Sequence, residues 1–186
     1  LPIQGATEGK ESGKEPVQVA ETSRLPLLEA EILAESGSPS KAIKALDRIL
    51  HDREQIGLWE DALTRKLRWL ANSGQSSKAI REAKRAARSV EFSGMRYELH
   101  WWLVILYAGP QENFRRAIRE AEDLSRGPRN NDYVERASYT LGIMHRWDGQ
   151  SRRATETLEN YLRRYGDKGR FSGAAHTYLA EIKGGK

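Results

Sequence analysis

From Leu25 onward, apolar side chains recur every three to four positions, the period of helices that bury one face. Nine segments carry that pattern, and Gly, Pro or short polar turns separate them. "RLPLLEAEILAES" places Leu28, Ile32 and Leu33 at helical spacing and stops at Gly37. "SPSKAIKALDRIL" offers Ser38 as a helix cap and Pro39 for the first turn, with a stripe of Ala42, Ile43, Leu46, Ile49 and Leu50. "LWEDALTRKLRWLANSG" ends at Gly74. "SSKAIREAKRAARSVEF" follows and puts Ala79, Ile80, Ala83, Ala86, Ala87 and Val90 on one face. "MRYELHWWLVILYA" stops at Gly109-Pro110, and "ENFRRAIREAEDLSR" at Gly127-Pro128. "DYVERASYTLGIMHRW" and "SRRATETLENYLRRYG" meet at Asp148-Gly149, and "RFSGAAHTYLAEIK" closes the series. No stretch alternates like a strand, so the pattern predicts an all-α chain.

The helices pair off and the pairs repeat. Each second helix carries an alanine, Ala42, Ala79, Ala117 or Ala154, at spacings of 37, 38 and 37. Four residues later stand Leu46, Ala83, Ala121 and Leu158, and seven later Ile49, Ala86, Leu124 and Tyr161. Five residues before three of the alanines lies a turn glycine, Gly37, Gly74 or Gly149. A regular period below about fifty residues, built from helix–turn–helix units, predicts a solenoid.

That pattern resembles the tetratricopeptide repeat (TPR), whose period is about 34 residues. The likeness rests on the small residue that opens each second helix, its partners four and seven positions on, the turn glycine, and Leu141-Gly142 in a first helix. It covers about residues 25–183. The stretch "YLRRYGDKGRFSGAAHTYLAEI" is similar to the joint between repeats in bacterial cell-envelope TPR proteins, namely the Tol-Pal-associated coordinators and outer-membrane assembly lipoproteins. Here Gly166-Asp167 stands where that joint has proline, and Lys168-Gly169 lengthens the turn. The resemblance implies a right-handed helical solenoid of four helix pairs, with the lone last helix capping the apolar face of the fourth. It implies a non-catalytic scaffold that holds a protein or peptide partner in its concave groove.

Residues 1–23 lack helical periodicity and are rich in Gly, Glu, Lys, Ser and Thr, which predicts a flexible leader ahead of a TPR-like domain at 24–186. The chain does not begin with Met, so the reading expects an upstream segment: a signal sequence, a lipidated anchor or a domain boundary. An anchor of that kind is the only route this reading leaves to a membrane, since no apolar run approaches the roughly 20 residues that span one. Localisation in a bacterial cell envelope, periplasmic or tethered to the outer membrane, follows from the resemblance; the cytoplasm is the alternative.

The net charge of +5 conceals an asymmetry. Residues 1–36 hold 3 basic and 7 acidic side chains, and residues 37–186 hold 28 basic and 19 acidic. A basic body favours an acidic partner, although most of these cations alternate with Glu at helical spacing and read as solvated helix surface.

The chemistry of catalysis leaves no mark on the chain. There are no cysteines, which removes disulfides, thiolate metal sites and a Cys nucleophile. His51, His100, His145 and His176 are too far apart in sequence for a metal motif. Glu60-Asp61 and Glu122-Asp123 are adjacent, so on a helix their carboxylates point about 100° apart. No phosphate loop or nucleophile motif stands out. The expectation is a protein that is not an enzyme and carries no cofactor or metal.

The family's register implies which first-helix positions line the groove. They are Asp61, Thr64, Arg68 and Ala71 in unit two, Leu99, Trp102, Leu106 and Gly109 in unit three, and Arg136, Tyr139, Ile143 and Arg146 in unit four. Arg68, Trp102, Arg136, Tyr139, Ile143 and Arg146 are the candidate partner contacts. The set offers an apolar, aromatic middle flanked by guanidinium groups that grip carboxylates through two parallel hydrogen bonds. It suits an extended or helical peptide bearing acidic and apolar side chains. Gly109-Pro110 falls three residues early, so an insertion there shifts the unit-three positions. A second basic set lies on the second helices, including Lys78, Arg81, Lys84, Arg85, Arg115, Arg116 and Arg119. It is the basis of the alternative, a cytoplasmic TPR regulator or nucleic-acid-associated module. Nucleic acid is disfavoured because no aromatic side chains are interleaved there for base stacking.

Overall fold

The computed structural model describes residues 24–184, so the expected leader at 1–23 lies outside the described residues. Among the described residues every regular element is helical: α1 (Leu25–Glu35), α2 (Pro39–His51), a 3-10 helix (Arg53–Leu58), α3 (Trp59–Asn72), α4 (Ser76–Ala87), α5 (Arg96–Ala108), α6 (Phe114–Ser125), α7 (Asp132–Trp147), α8 (Ser151–Tyr165) and α9 (Ser172–Lys183). The all-α expectation holds, and each helix falls on the segment that its apolar period marks.

The chain divides into two compact units, one ending at Trp59 and one beginning at Glu60. In the first, α1 packs on α2 and the 3-10 helix follows against α2. Helix α1 turns Leu27 and Ala30 inward, whereas Leu28 and Ile32 of the expected stripe are 49% and 57% exposed. The helix has apolar residues on several faces, so spacing alone does not choose the inward one. In the second unit the contacts run in chain order: α4 on α5, α5 on α6, α6 on α7, α7 on α8, and α8 on α9. Helices α3 and α4 are joined by an ion pair between Lys66 and Glu82 at 3.0 Å, with the Lys66 side chain buried. Alternate helices also meet, α5 touching α7.

The twelve positions of the repeat register are all interior. The four alanines at 42, 79, 117 and 154 and their partners four and seven residues on are at most 5% exposed. The small side chains let the neighbouring helix approach closely, and the larger ones fill the space at the ends of the contact.

The turns that join α1 to α2, α3 to α4 and α7 to α8 are alike. Gly37, Gly74 and Gly149 sit at φ +76, +75 and +75, conformations that cost a residue with a Cβ. Each follows its helix in the same way: Ser38, Gln75 and Gln150 donate their backbone N–H to Leu33, Leu70 and His145 five residues back. The turn between α5 and α6 departs from this pattern. It has five residues instead of three, Gly109 takes φ −87, and the left-handed residue is Glu112 at φ +48. Glu112 lies five residues before Ala117, the place the turn glycines hold elsewhere.

Helix α4 is shorter than its pattern predicts. Arg88 and Ser89 donate to the carbonyls of Arg85 and Ala86, three residues back, which tightens and ends the helix. Val90, expected on the buried face, is 84% exposed. Ser38 holds the cap position of α2, but its side chain makes no cap bond. Side-chain caps occur instead at Asn113, on Arg116 N–H, and at Asn131, on Tyr133 and Val134 N–H.

Candidate partner-binding face

Helices α3, α5 and α7 alternate with α4 and α6 along the second unit, and their side chains are linked in a row. The Thr64 hydroxyl of α3 donates to Glu98 Oε1 of α5 at 3.2 Å. The phenol of Tyr133, on α7, donates to the same carboxylate; burial, that hydrogen bond and the nearby negative charge hold its pKa up at about 12. Tyr133 is therefore a neutral donor at physiological pH. One turn on from Tyr133, the Arg136 guanidinium lies 5.5 Å from the centre of the Trp101 ring, within cation–π range. Trp101 itself packs with Tyr97 against Leu124, Val134 and Ala137.

Towards the C-terminus the row becomes aromatic. Tyr139 stacks on Phe171, with ring centres 4.9 Å apart and planes 5° from parallel. It also meets Tyr161 at 5.9 Å and Tyr178 at 6.5 Å in T-shaped geometry. Behind it, the Tyr161 hydroxyl donates to Glu135 Oε1 at 2.7 Å and accepts the Phe171 N–H at 2.9 Å. The Arg170 N–H reaches the same Glu135 oxygen at 2.6 Å. This knot fixes the start of α9 against α7 and α8, and so fixes the platform on which Tyr139 lies.

The candidate residues meet different fates. Arg68 stands exposed on α3 and has no ion-pair partner among the described residues. Trp102, Arg136 and Tyr139 are half-buried, with part of each side chain open to solvent. Arg146 is half-buried, with Nη1 3.5 Å from the Ser151 hydroxyl at the start of α8. Ile143 does not belong to the face. It is 5% exposed and packs in a core with Leu158, Tyr161, Tyr165, Ala175 and Leu179, because α9 brings Ala175 and Leu179 over it. In α5, Leu99 and Leu106 are fully buried and Gly109 lies in the turn, so these unit-three groove positions fail. The two extra turn residues displace α5 relative to Ala117. Glu98, Trp102 and Ile105 carry its accessible face instead, Ile105 being 39% exposed.

Glu98, Tyr133, Phe171 and Tyr178 were not among the expected contacts. A signal for the first two is present in the sequence. Thr64, Glu98 and Tyr133 are separated by 34 and 35 residues, and Trp101 and Arg136 by 35, close to one repeat. Side chains one period apart are neighbours when like helices of successive units touch.

The face combines a shared carboxylate, hydroxyl donors, a guanidinium over an indole ring, and half-buried aromatic side chains. No group of three or more His, Asp and Glu converges as a metal site among the described residues, and no described helix is long and apolar enough to cross a membrane. Comparison of the chain with family models, curated proteins and solved structures finds no match.

Proposed function

We propose that the chain is a TPR-like solenoid that acts as a non-catalytic scaffold and binds a protein or peptide partner on the face formed by α3, α5 and α7. The observation that carries this reading is the row of one-period contacts, Thr64–Glu98–Tyr133 and Trp101–Arg136. It joins like helices of successive pairs into one continuous surface while leaving Trp102, Arg136 and Tyr139 partly open. The common burial of the alanine register and the common turn geometry support equivalent units. The pair α1/α2 shares both features and is the first unit in this reading.

The partner is an extended or helical segment with apolar side chains for Trp102, Ile105 and the Tyr139 edge, and carboxylates for Arg68 and Arg136. Location in a bacterial cell envelope is proposed on the likeness of the α8–α9 joint alone. The test is a selection of peptides from a display library on the full chain, followed by affinity measurements. Arg68→Glu with Trp102→Ala should weaken the selected peptides about tenfold or more. Arg81→Glu with Arg85→Glu, on exposed positions of α4, should leave affinity unchanged. The opposite ranking, or steeply salt-dependent binding to RNA or DNA in place of peptides, would transfer the function to the basic second-helix surface.

A further inference from the structure

A second site lies between α4, α5 and α6 and shares no residue with the face above. Lys84, Tyr107, Arg116, Arg119, Glu120 and Asp123 line an open cleft of about 400 Å3. Tyr107 is 3% exposed and forms its floor. Lys84 Nζ and the Arg116 guanidinium lie 5.5 and 5.8 Å from the centre of the Tyr107 ring. Arg119 follows Arg116 by three residues and so shares its side of α6.

One of the two carboxylates in the cleft has a cationic partner outside it. Glu120 faces His100 Nδ1 at 3.4 Å, and Asp123 pairs with Arg126 at 2.9 Å. Lys84, Arg116 and Arg119 have no ion-pair partner among the described residues. Three cations thus face one cleft against two carboxylates, one of which Arg126 already matches, and two of the cations lie within 5.8 Å of the Tyr107 ring centre.

We propose that this cleft binds a phosphomonoester dianion. A carboxylate carries one charge and leaves part of the positive excess unmatched. A phosphomonoester carries about −1.5 to −2 near neutral pH and has three acceptor oxygens for the surrounding donors. Guanidinium forks match that geometry. The acidic end at Glu120 and Asp123 repels a continuing polyanion, so the cleft favours a compact anion over a nucleic-acid backbone.

The experiment is a 15N–1H chemical-shift titration of the full chain with inorganic phosphate at constant ionic strength and, in a second arm, with O-phosphoserine. Saturable shifts are expected at Lys84, Tyr107, Arg116 and Arg119. Lys84→Gln with Arg116→Gln should weaken binding about tenfold or more. Arg119→Gln alone, at an exposed position, should also weaken it and serves if the double variant misfolds. Lys78→Gln with Arg81→Gln, exposed cations of α4 outside the cleft, should leave the Kd within about twofold. Tighter binding of phosphoserine than phosphate assigns the group to a side chain, and the reverse assigns a free ion; the site stands in both cases. Shifts that never saturate, or equal weakening by both double variants, would reduce the effect to general surface charge and overturn the proposal.

Discussion

Two residues show where the turn pattern is kept and where it is broken. Glu112 is the only described non-glycine at positive φ, and between α5 and α6 it holds the place that a glycine takes in the turns at Gly37, Gly74 and Gly149. A left-handed conformation costs an L-residue about 1–2 kcal/mol, partly recovered by the lower unfolded-state entropy of a non-glycine. Glu112→Gly should therefore raise stability by about 0.5–1 kcal/mol in urea unfolding. Gly142 is the converse case. A Cβ there would lie 2.7 Å from Leu158 Cγ and Cδ2, because α8 crosses α7 directly over it. Gly142→Ala should destabilise by about 1–3 kcal/mol by overpacking, measured in the same way. Leu141-Gly142 has a counterpart 38 positions on in Leu179-Ala180, where Ala180 is exposed. Alanine is tolerated there because its side chain points to solvent.

His145 gives the chain a pH dependence at the residue scale. It is 3% exposed and its Nδ1 has no hydrogen-bond partner. Burial lowers its pKa below the ordinary 6.5; Arg153 adds to the effect, and Glu122 and Asp148 oppose it. The folded state thus binds a proton less readily than the unfolded chain. Stability is fully present above about pH 6.5 and declines as pH falls below it, because the unfolded state takes up the proton first. His145→Leu should flatten that decline between about pH 7.5 and 5.5 in pH-dependent melting, relative to the parent chain. An unchanged slope would mean that other groups carry it.

At the scale of elements, the sequence was most legible where apolar period and turn chemistry agreed. The register alanines and the turns at Gly37, Gly74 and Gly149 located the helices of those pairs and their inward faces together. Where the two signals separate, apolar spacing alone misplaces residues. Helix α1 is apolar on several faces, so Leu28 and Ile32 were expected inside. Val90 continued the stripe of α4, but backbone bonding had already ended the helix. The groove candidates on α5 failed for a different reason: two extra residues in the turn do not disturb either helix pattern, yet they alter the register between the helices. Ile143 was assigned to the groove because its burial depends on α9, some thirty residues later in the chain. Glu98 was missed because its role comes from two partners one repeat away on either side, a long-range relation that local spacing does not display.

The last element has a structural task that follows from the same packing. Helix α9 covers Ile143, Leu158, Tyr161 and Tyr165, and the Tyr161 hydroxyl ties its first residues to Glu135. Tyr161→Phe leaves Glu135 and the Phe171 N–H each short of a partner, and should cost about 1–3 kcal/mol. Its unfolding should begin at the C-terminal end, visible as early loss of amide protection in α9. Uniform loss across the second unit would show that the knot is not a local clamp.

For the whole molecule, the basic body and the two distinct surfaces make separable claims. The α3–α5–α7 face offers shape and aromatic contact, with two cations at its edges. The cleft at Lys84 and Arg116 offers concentrated charge. Binding on the first should survive moderate salt, since much of it comes from apolar burial, whereas the second should weaken steeply. The measurement that tests the central claim most directly is the affinity of a display-selected peptide for the parent chain, for Arg68→Glu/Trp102→Ala, and for Arg81→Glu/Arg85→Glu. Loss of about tenfold or more in the first variant, with the second unchanged, is the result expected of a scaffold that uses its first helices. Retained affinity in the first variant with loss in the second would contradict that account.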